Sequence, residues 1–274
     1  MKILPLLYSC SLALLIISCK EKEITSSDNY TFSSTPTWSD EFSYQGKPDP
    51  EKWDYDLGGH GWGNNELQNY TDRLENARVE DGMLTIEARK EASGNRAYSS
   101  ARLVNRGKGD FTYGKVEVRA KLPSGRGTWP AIWALASQQS YGEQFWPDNG
   151  GMDLVAHVGF DQNRVYSNVH TKAFPTRGNS MVIKSASSDY HIYTCEWTPD
   201  RITLKVDGKT NLTYKREESY RWQEWPFDHP FHLILNVAIG GTWGGEKGVD
   251  DSIFPQKMVV DYVRIYELID KKKL

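Results

Sequence analysis

Tyr113-Gly114-Lys115-Val116-Glu117-Val118-Arg119-Ala120-Lys121-Leu122-Pro123 switches between apolar and polar residues at almost every step. Successive side chains of a β-strand point to opposite faces, so this stretch predicts a strand that buries Val116, Val118, Ala120 and Leu122 together. The pattern recurs on both sides. Leu84, Ile86 and Ala88 alternate with polar residues after Asp81-Gly82, and Ile202, Leu204 and Val206 alternate up to Asp207-Gly208. Asp-Gly is a hairpin turn pair, because two-residue turns of the favoured hand need residues that tolerate positive φ. Residues 231–239 form a dense apolar run, and 258–266 read as a final valine-rich strand. No long amphipathic helix is legible; 216–225 is the one candidate for a short helix. No linker or repeat divides the body. Many short strands with regular turn signals predict an all-β fold, a two-sheet sandwich or jelly roll.

Composition narrows the function classes. The chain has 274 residues, 25% charged and 38% hydrophobic, which excludes a mainly disordered or membrane-embedded protein. Lys plus Arg is 33 and Asp plus Glu is 36, a net charge of −3. There is no electrostatic reason to expect nucleic acid as a partner. The 10 Trp and 15 Tyr can fill a core, but Trp and Tyr also build sugar-binding faces.

The N-terminus reads as an export signal with a lipid site. Lys2 opens a short basic region, and 3–17 is mostly apolar but is interrupted by Pro5, Tyr8 and Ser9. That is short for a bilayer-spanning helix and fits the apolar region of a secretory signal. Ile16-Ile17-Ser18-Cys19 looks like a bacterial lipobox, with no good A-x-A cleavage site nearby. The expected organisation is a signal peptide over 1–18, a lipidated flexible tether over 19–37 rich in Ser and Thr, and a domain over 38–268. Cleavage would remove Cys10 and lipidation would occupy Cys19. Only Cys195 would remain, so no intramolecular disulfide is expected despite export. The expected location is the cell envelope, at the outer membrane on its periplasmic or surface face, with the membrane contacted through the lipid.

Several ordered segments then carry a family resemblance: WSDEF (38–42), GWGNNELQNYT (61–71), GRGTWPAIWAL (125–135), HVGFDQNRVYSNVHT (157–171), YTCEWTPDRI (193–202), FHLILNVAIGGTWGG (231–245) and FPQKMVVDYVRIY (254–266). From about Trp38 to Tyr266 the chain resembles glycoside hydrolase family 16, in particular its laminarinase-like endo-β-1,3-glucanases. The resemblance implies a concanavalin A-like jelly roll of two bent antiparallel sheets with a sugar-binding cleft on the concave face. It favours a β-1,3-glucanase-like cleft over the agarase and carrageenase branches.

The family's catalytic strand follows Glu-x-Asp-x-x-Glu. A retaining glycosidase needs two carboxyl groups about 5–5.5 Å apart, one as nucleophile and one as acid/base. Residues two apart on a strand share a face, and the gap of three before the last Glu calls for a β-bulge. Here the segment reads Gly151-Met152-Asp153-Leu154-Val155-Ala156. By the resemblance, Gly151 stands at the nucleophile position, Asp153 at the auxiliary position and Ala156 at the acid/base position. Both glutamates are replaced while their neighbours are spared, as in a chain kept for binding or in a deliberately inactivated copy of an enzyme. His157 alternates to the opposite face and reads as structural. His170, on the adjoining strand, faces the sugar in the family.

The sugar contacts implied by the resemblance are Asn65, Glu66, Arg126, Trp129, Trp133, His170 and Trp243. Trp133 also reads as core, and Gln68 and Tyr70 stay undecided. No cofactor is expected for catalysis. The resemblance implies a structural calcium ion on the convex side at Glu41, Gly82 and Asp261, and oxygen ligands suit that ion. The expected partner is a laminarin-type β-1,3-glucan, bound by a monomer. Three functions compete: a non-catalytic glucan-binding lipoprotein, an active endo-β-1,3-glucanase, and an envelope protein without a glycan ligand. The cleft residues disfavour the third, and Gly151 with Ala156 disfavours the second.

Overall fold

A computed structural model describes residues 29–273. The apolar segment 3–17, Cys10, Cys19 and the first part of the expected tether lie outside the described residues. Within them, Cys195 is unpaired and buried, and no helix is long and apolar enough to cross a membrane.

Two sheets pack face to face. One has seven strands, in the spatial order Arg177–Val182, Arg164–His170, Gly151–His157, Thr128–Ala136, Phe231–Ile239, Arg102–Val104 and Asp54–Tyr55. The other has ten, with Gly114–Lys121 paired between His191–Thr198 and Gln256–Tyr266. Pairing is antiparallel apart from Gln68–Tyr70, which runs parallel to Arg96–Ser100. The all-β jelly-roll expectation holds.

The predicted alternation appears as strict burial. On Gly114–Lys121 every second residue is buried, and Val116, Val118 and Ala120 are inaccessible. They meet Ile132 and Ala134 from the seven-stranded sheet in one core that also takes Trp53, Trp197 and Trp225. Each fully buried apolar side chain of this size contributes roughly 1.5–3 kcal/mol. Asp81 and Gly82 both have positive φ, 54° and 75°, and Glu80 pairs with Met83 across them. That is the two-residue turn which the Asp-Gly pair predicts.

Two expectations change. Residues 216–225 form separate turns instead of a helix. Glu224 and Trp225 both donate backbone N–H groups to the Arg221 carbonyl, and the Tyr214 hydroxyl donates to Glu224 O at 2.5 Å. Trp225 is drawn into the core, and Pro226 after it disfavours helical backbone. The domain also begins before Trp38 and ends after 268. Tyr30–Phe32 pairs with Leu268–Asp270 as a separate two-stranded sheet, so part of the expected tether is strand. A three-residue β-prone Tyr-Thr-Phe in a polar setting is too short to announce itself.

Candidate functional site

The outer face of the seven-stranded sheet is where the site forms. On Thr128–Ala136 the residues Trp129, Ala131, Trp133 and Leu135 are half-exposed, while the alternate residues are buried. Directly paired residues share a face, so the register reads off the neighbours. Ala131 lies beside Ala156 and Asn236, Trp133 beside Asp153, and Leu135 beside Gly151. On the far side, Ala156 faces Tyr166, Asp153 faces Asn168 and Gly151 faces His170. Trp133 therefore belongs to the open face and not to the core. The bulge demanded by the three-residue gap is present, since three steps from Asp153 to Ala156 are matched by two from Asn168 to Tyr166. It returns position 156 to the face that carries Asp153.

Asp153 is the one carboxylate in Gly151–His157. One of its oxygens accepts from Asn168 Nδ2 at 2.9 Å and from His170 Nε2 at 2.9 Å. His170 Nδ1 lies 2.7 Å from the Pro175 carbonyl. Both nitrogens thus face acceptors, and only the imidazolium has two N–H groups to give. Burial lowers its pKa, but the Asp153 carboxylate and the Pro175 carbonyl overcome this and the net shift is upward. A doubly donating imidazolium has no lone pair with which to take up a proton, so His170 is poorly set to act as a base. Because its folded pKa is raised, the pair stabilises the fold at pH below the unfolded value of about 6.5 and loses that contribution as pH rises through the folded value. The Tm gap between wild type and His170→Gln should be widest below the usual imidazole value of about 6.5 and narrow as pH rises through the raised folded value. An equal gap at every pH would show that folding leaves the His170 pKa unshifted.

The aromatic part of the face is continuous. Trp129 and Trp243 meet edge to face at 5.4 Å, and Tyr166 meets Trp243 at 4.9 Å. Trp133 Nε1 donates to Asn236 Oδ1 at 3.0 Å. The Arg102 guanidinium lies over both Trp62 and Trp133, 4.6 and 5.0 Å from their centroids, while Asp56 holds it at 3.0 Å. Asn65 is exposed and lines a groove of about 530 Å³ with Gly241 and Thr242.

Glu66 sits differently from a free sugar contact. It is 5% exposed, and its oxygens accept from Asn64, Gln68 and Tyr70. Burial raises its pKa, opposed by those donors and by Arg102. Tyr70 also accepts from Asn236, so Glu66, Gln68 and Tyr70 form a buried network that braces the floor under Trp133. Arg126 donates to the Lys247 carbonyl at 2.7 Å and so ties down the loop after Trp243. His157 is buried on the opposite face, with Nε2 3.0 Å from the Gln162 carbonyl, as expected of a structural residue.

The sequence profile described as Glycosyl hydrolases family 16 matches residues 64–264, well over half of the chain. The chain belongs to glycosyl hydrolase family 16. This family 16 chain is 55% identical over 243 residues to a β-glucanase of Rhodothermus marinus, covering 85% of each. Its fold matches the crystal structure of the laminarinase from Rhodothermus marinus with TM-score 0.85 and 52% identity, over 88% of this chain and 99% of that one. It also matches SCLam, described as a non-specific endo-β-1,3(4)-glucanase, in a variant with one glutamate replaced by serine. There the TM-score is 0.82 and the identity 42%, over 88% of this chain and 98% of that one.

The three positions expected to hold calcium come near one another in this chain. Asp40 pairs with Val263 and Leu84 pairs with Val260, so the segments after Asp40 and before Leu84 both approach the bulge at Asp261. The carboxylates are otherwise engaged. Arg264 grips both Glu41 oxygens at 2.9 and 2.8 Å, which lowers the Glu41 pKa, and Arg119 donates to one Asp261 oxygen. Among the described residues no cluster of three His, Cys, Asp or Glu could hold a metal. Glu41 can serve as the expected carboxylate ligand only by releasing Arg264.

Sequence reading missed Arg102, Trp62, Tyr166 and Trp146. Tyr166 stands in the quoted segment 157–171 and was legible from alternation with His170. Trp146-Pro147, just ahead of Gly151 in a polar loop, carried a usable signal. Arg102 carried none.

Proposed function

We propose that this chain is an exported, lipid-anchored family 16 protein that binds laminarin-type β-1,3-glucan without cleaving it. The observation that carries the reading is the bulged strand: its open face is lined by Trp129, Trp133, Tyr166 and Trp243, yet it offers Asp153 as its one carboxylate. Retaining hydrolysis needs a second carboxyl about 5–5.5 Å from the first. The indole faces suit the C–H faces of glucose rings, with the exposed Asn65 at hand for hydroxyls. The serine-substituted relative gives support, since its crystals hold 1,3-β-D-cellobiosyl-glucose at the active site.

Purified soluble domain should give a calorimetric binding isotherm with laminarin oligosaccharides and release no reducing sugar. Absence of heat at millimolar ligand would sink the binding claim. A second reading, an active endo-β-1,3-glucanase, is favoured by the relative named a β-glucanase at 55% identity. It requires a carboxylate from outside 151–156, and ordinary hydrolysis by the unmodified chain would establish it. We also propose that calcium binds between Glu41, Gly82 and Asp261 once Glu41 lets go of Arg264. Tm should then rise with added calcium and fall in excess chelator; an unchanged Tm removes the ion.

A further inference from the structure

Away from the glycan face, three polar side chains line up as a hydrogen-bonded chain. Ser185 Oγ lies 3.0 Å from His191 Nε2, and His191 Nδ1 lies 2.6 Å from Asp207 Oδ2. Ser185 stands in the turn between Arg177–Val182, at the edge of the seven-stranded sheet, and His191–Thr198 of the ten-stranded sheet. That turn is fixed. Ser188 and Asp189 donate backbone N–H groups to the Ser185 carbonyl, Leu122 donates to the Ala186 carbonyl, and the Ser187 hydroxyl donates to Pro123 O at 3.0 Å. His191 opens its strand, paired with Ala120. Asp207 begins the Asp207-Gly208 turn with φ 49°, and its other oxygen, Oδ1, accepts from the Ile192 N–H at 2.9 Å.

The arrangement sets the tautomer. Neutral imidazole has one N–H, and an ionised carboxylate only accepts. The N–H therefore belongs on Nδ1, facing Asp207, and Nε2 keeps its lone pair for the Ser185 hydroxyl. His170 is the contrast, since both its nitrogens face acceptors. A serine hydroxyl on a histidine held by a carboxylate is the arrangement that activates a nucleophile, and it is recognised by geometry and roles whatever fold carries it. A tether between two turns accounts for the His191–Asp207 bond but does not require a lone pair aimed at a hydroxyl. The His191 side chain is 11% exposed, so the base is shielded, whereas Ser185 is half-exposed and reachable. Among the described residues the Ser185 backbone N–H has no acceptor, which leaves a donor beside the hydroxyl for a developing oxyanion.

We propose that Ser185 is a second reactive centre, a nucleophile that takes the acyl group of short-chain esters, with His191 as its base and Asp207 as the residue that positions the imidazole. Lys184, Ser188 and Asp189 around it are exposed and polar, so nothing there holds a long apolar chain. Ser185 Oγ bonds to the ester carbonyl carbon while its proton passes to His191 Nε2. The ester C–O bond then breaks, and the alcohol leaves with that proton. Water attacks the acyl-serine and gives a proton to Nε2; Ser185 Oγ recovers it as the carboxylic acid departs.

Mass spectrometry of the purified chain, quenched with acid after exposure to p-nitrophenyl acetate, tests it. An acetyl group should appear on Ser185, and Ser185→Ala should release p-nitrophenol more slowly than wild type. Asp207→Asn separates activation from tethering. Asparagine tolerates the positive φ, and its carbonyl can still accept from the Ile192 N–H, so the turn is kept. Its amide N–H₂ would then face Nδ1, which moves the ring proton to Nε2 and leaves Ser185 without a base. Acetylation should slow about a hundredfold, the scale of general-base assistance, with Tm close to that of wild type. Imidazole nitrogen shifts of wild type give an answer that needs no variant: at mildly alkaline pH the His191 proton belongs on Nδ1. An unlabelled Ser185 in wild type overturns the nucleophile. Equal acetylation in wild type and Asp207→Asn, or a His191 proton on Nε2, overturns the activation.

Discussion

On the proposed non-cleaving reading, Gly151→Glu combined with Ala156→Glu is expected to turn the chain into a retaining endo-hydrolase of laminarin. The bulge between Asp153 and Ala156 already returns position 156 to the face of Asp153, and Gly151 lies on that same face beside His170. Ala131, the neighbour of Ala156, is small and leaves room for a longer side chain. The obstacle is Trp146, whose ring edge must swing away from the new Cβ at 151. The ring is partly exposed and is the far end of a loop side chain, so this movement is cheap. Ala156→Glu alone should give almost nothing, because no nucleophile would face the anomeric carbon. Gly151→Glu alone should cleave only an activated aryl glycoside, whose leaving group needs no proton. Acid/base assistance contributes about 10²–10⁴-fold, and groups that act as a unit are strongly non-additive. Reducing-sugar assays on all four proteins decide it: a double variant that folds and binds glucan but stays inert would show that more than two carboxylates is missing.

The second large effect is expected at the other end of the face. Trp129→Ala and Trp243→Ala should each weaken laminarin binding about tenfold, the scale of one well-placed aromatic contact. The two rings touch edge to face, and Tyr166 leans on Trp243, so the double variant should lose less than the product of the singles. Trp197→Phe serves as the control, since Trp197 is fully buried between Phe111, Tyr113 and Phe231 and faces no ligand. Unchanged titrations for both cleft variants would move the glucan elsewhere on the protein.

The strands were legible because they rest on local arithmetic, a period of two and Asp-Gly turns, whereas the bulge followed from the resemblance to the Glu-x-Asp-x-x-Glu strand. The residues expected to hold calcium looked free in sequence because their partners are remote. Arg264, which holds Glu41, stands 223 residues away. Glu66 read as a sugar contact for the same reason, as nothing local says that Gln68 and Tyr70 fold inward beneath it. Arg102 was invisible because its role comes from lying between Trp62 and Trp133, which only the sheet brings together. Residues 216–225 failed as a helix because burial of Trp225 outweighed local preference.

Under the proposed N-terminal anchoring, pairing of Tyr30–Phe32 with Leu268–Asp270 would have a mechanical consequence. Tyr30 lies opposite Asp270 and Phe32 opposite Leu268, so a pull arriving through residue 29 loads the outermost pair first and then the next. That is peeling, the weak direction for antiparallel strands, because the hydrogen bonds give way singly and never share the load. Under tension these three residues would let go and lengthen the lead by about 10 Å. The next hold, Trp38–Asp40 against Val263 to Ile265, belongs to the main sheet and would keep the sugar-facing side undisturbed.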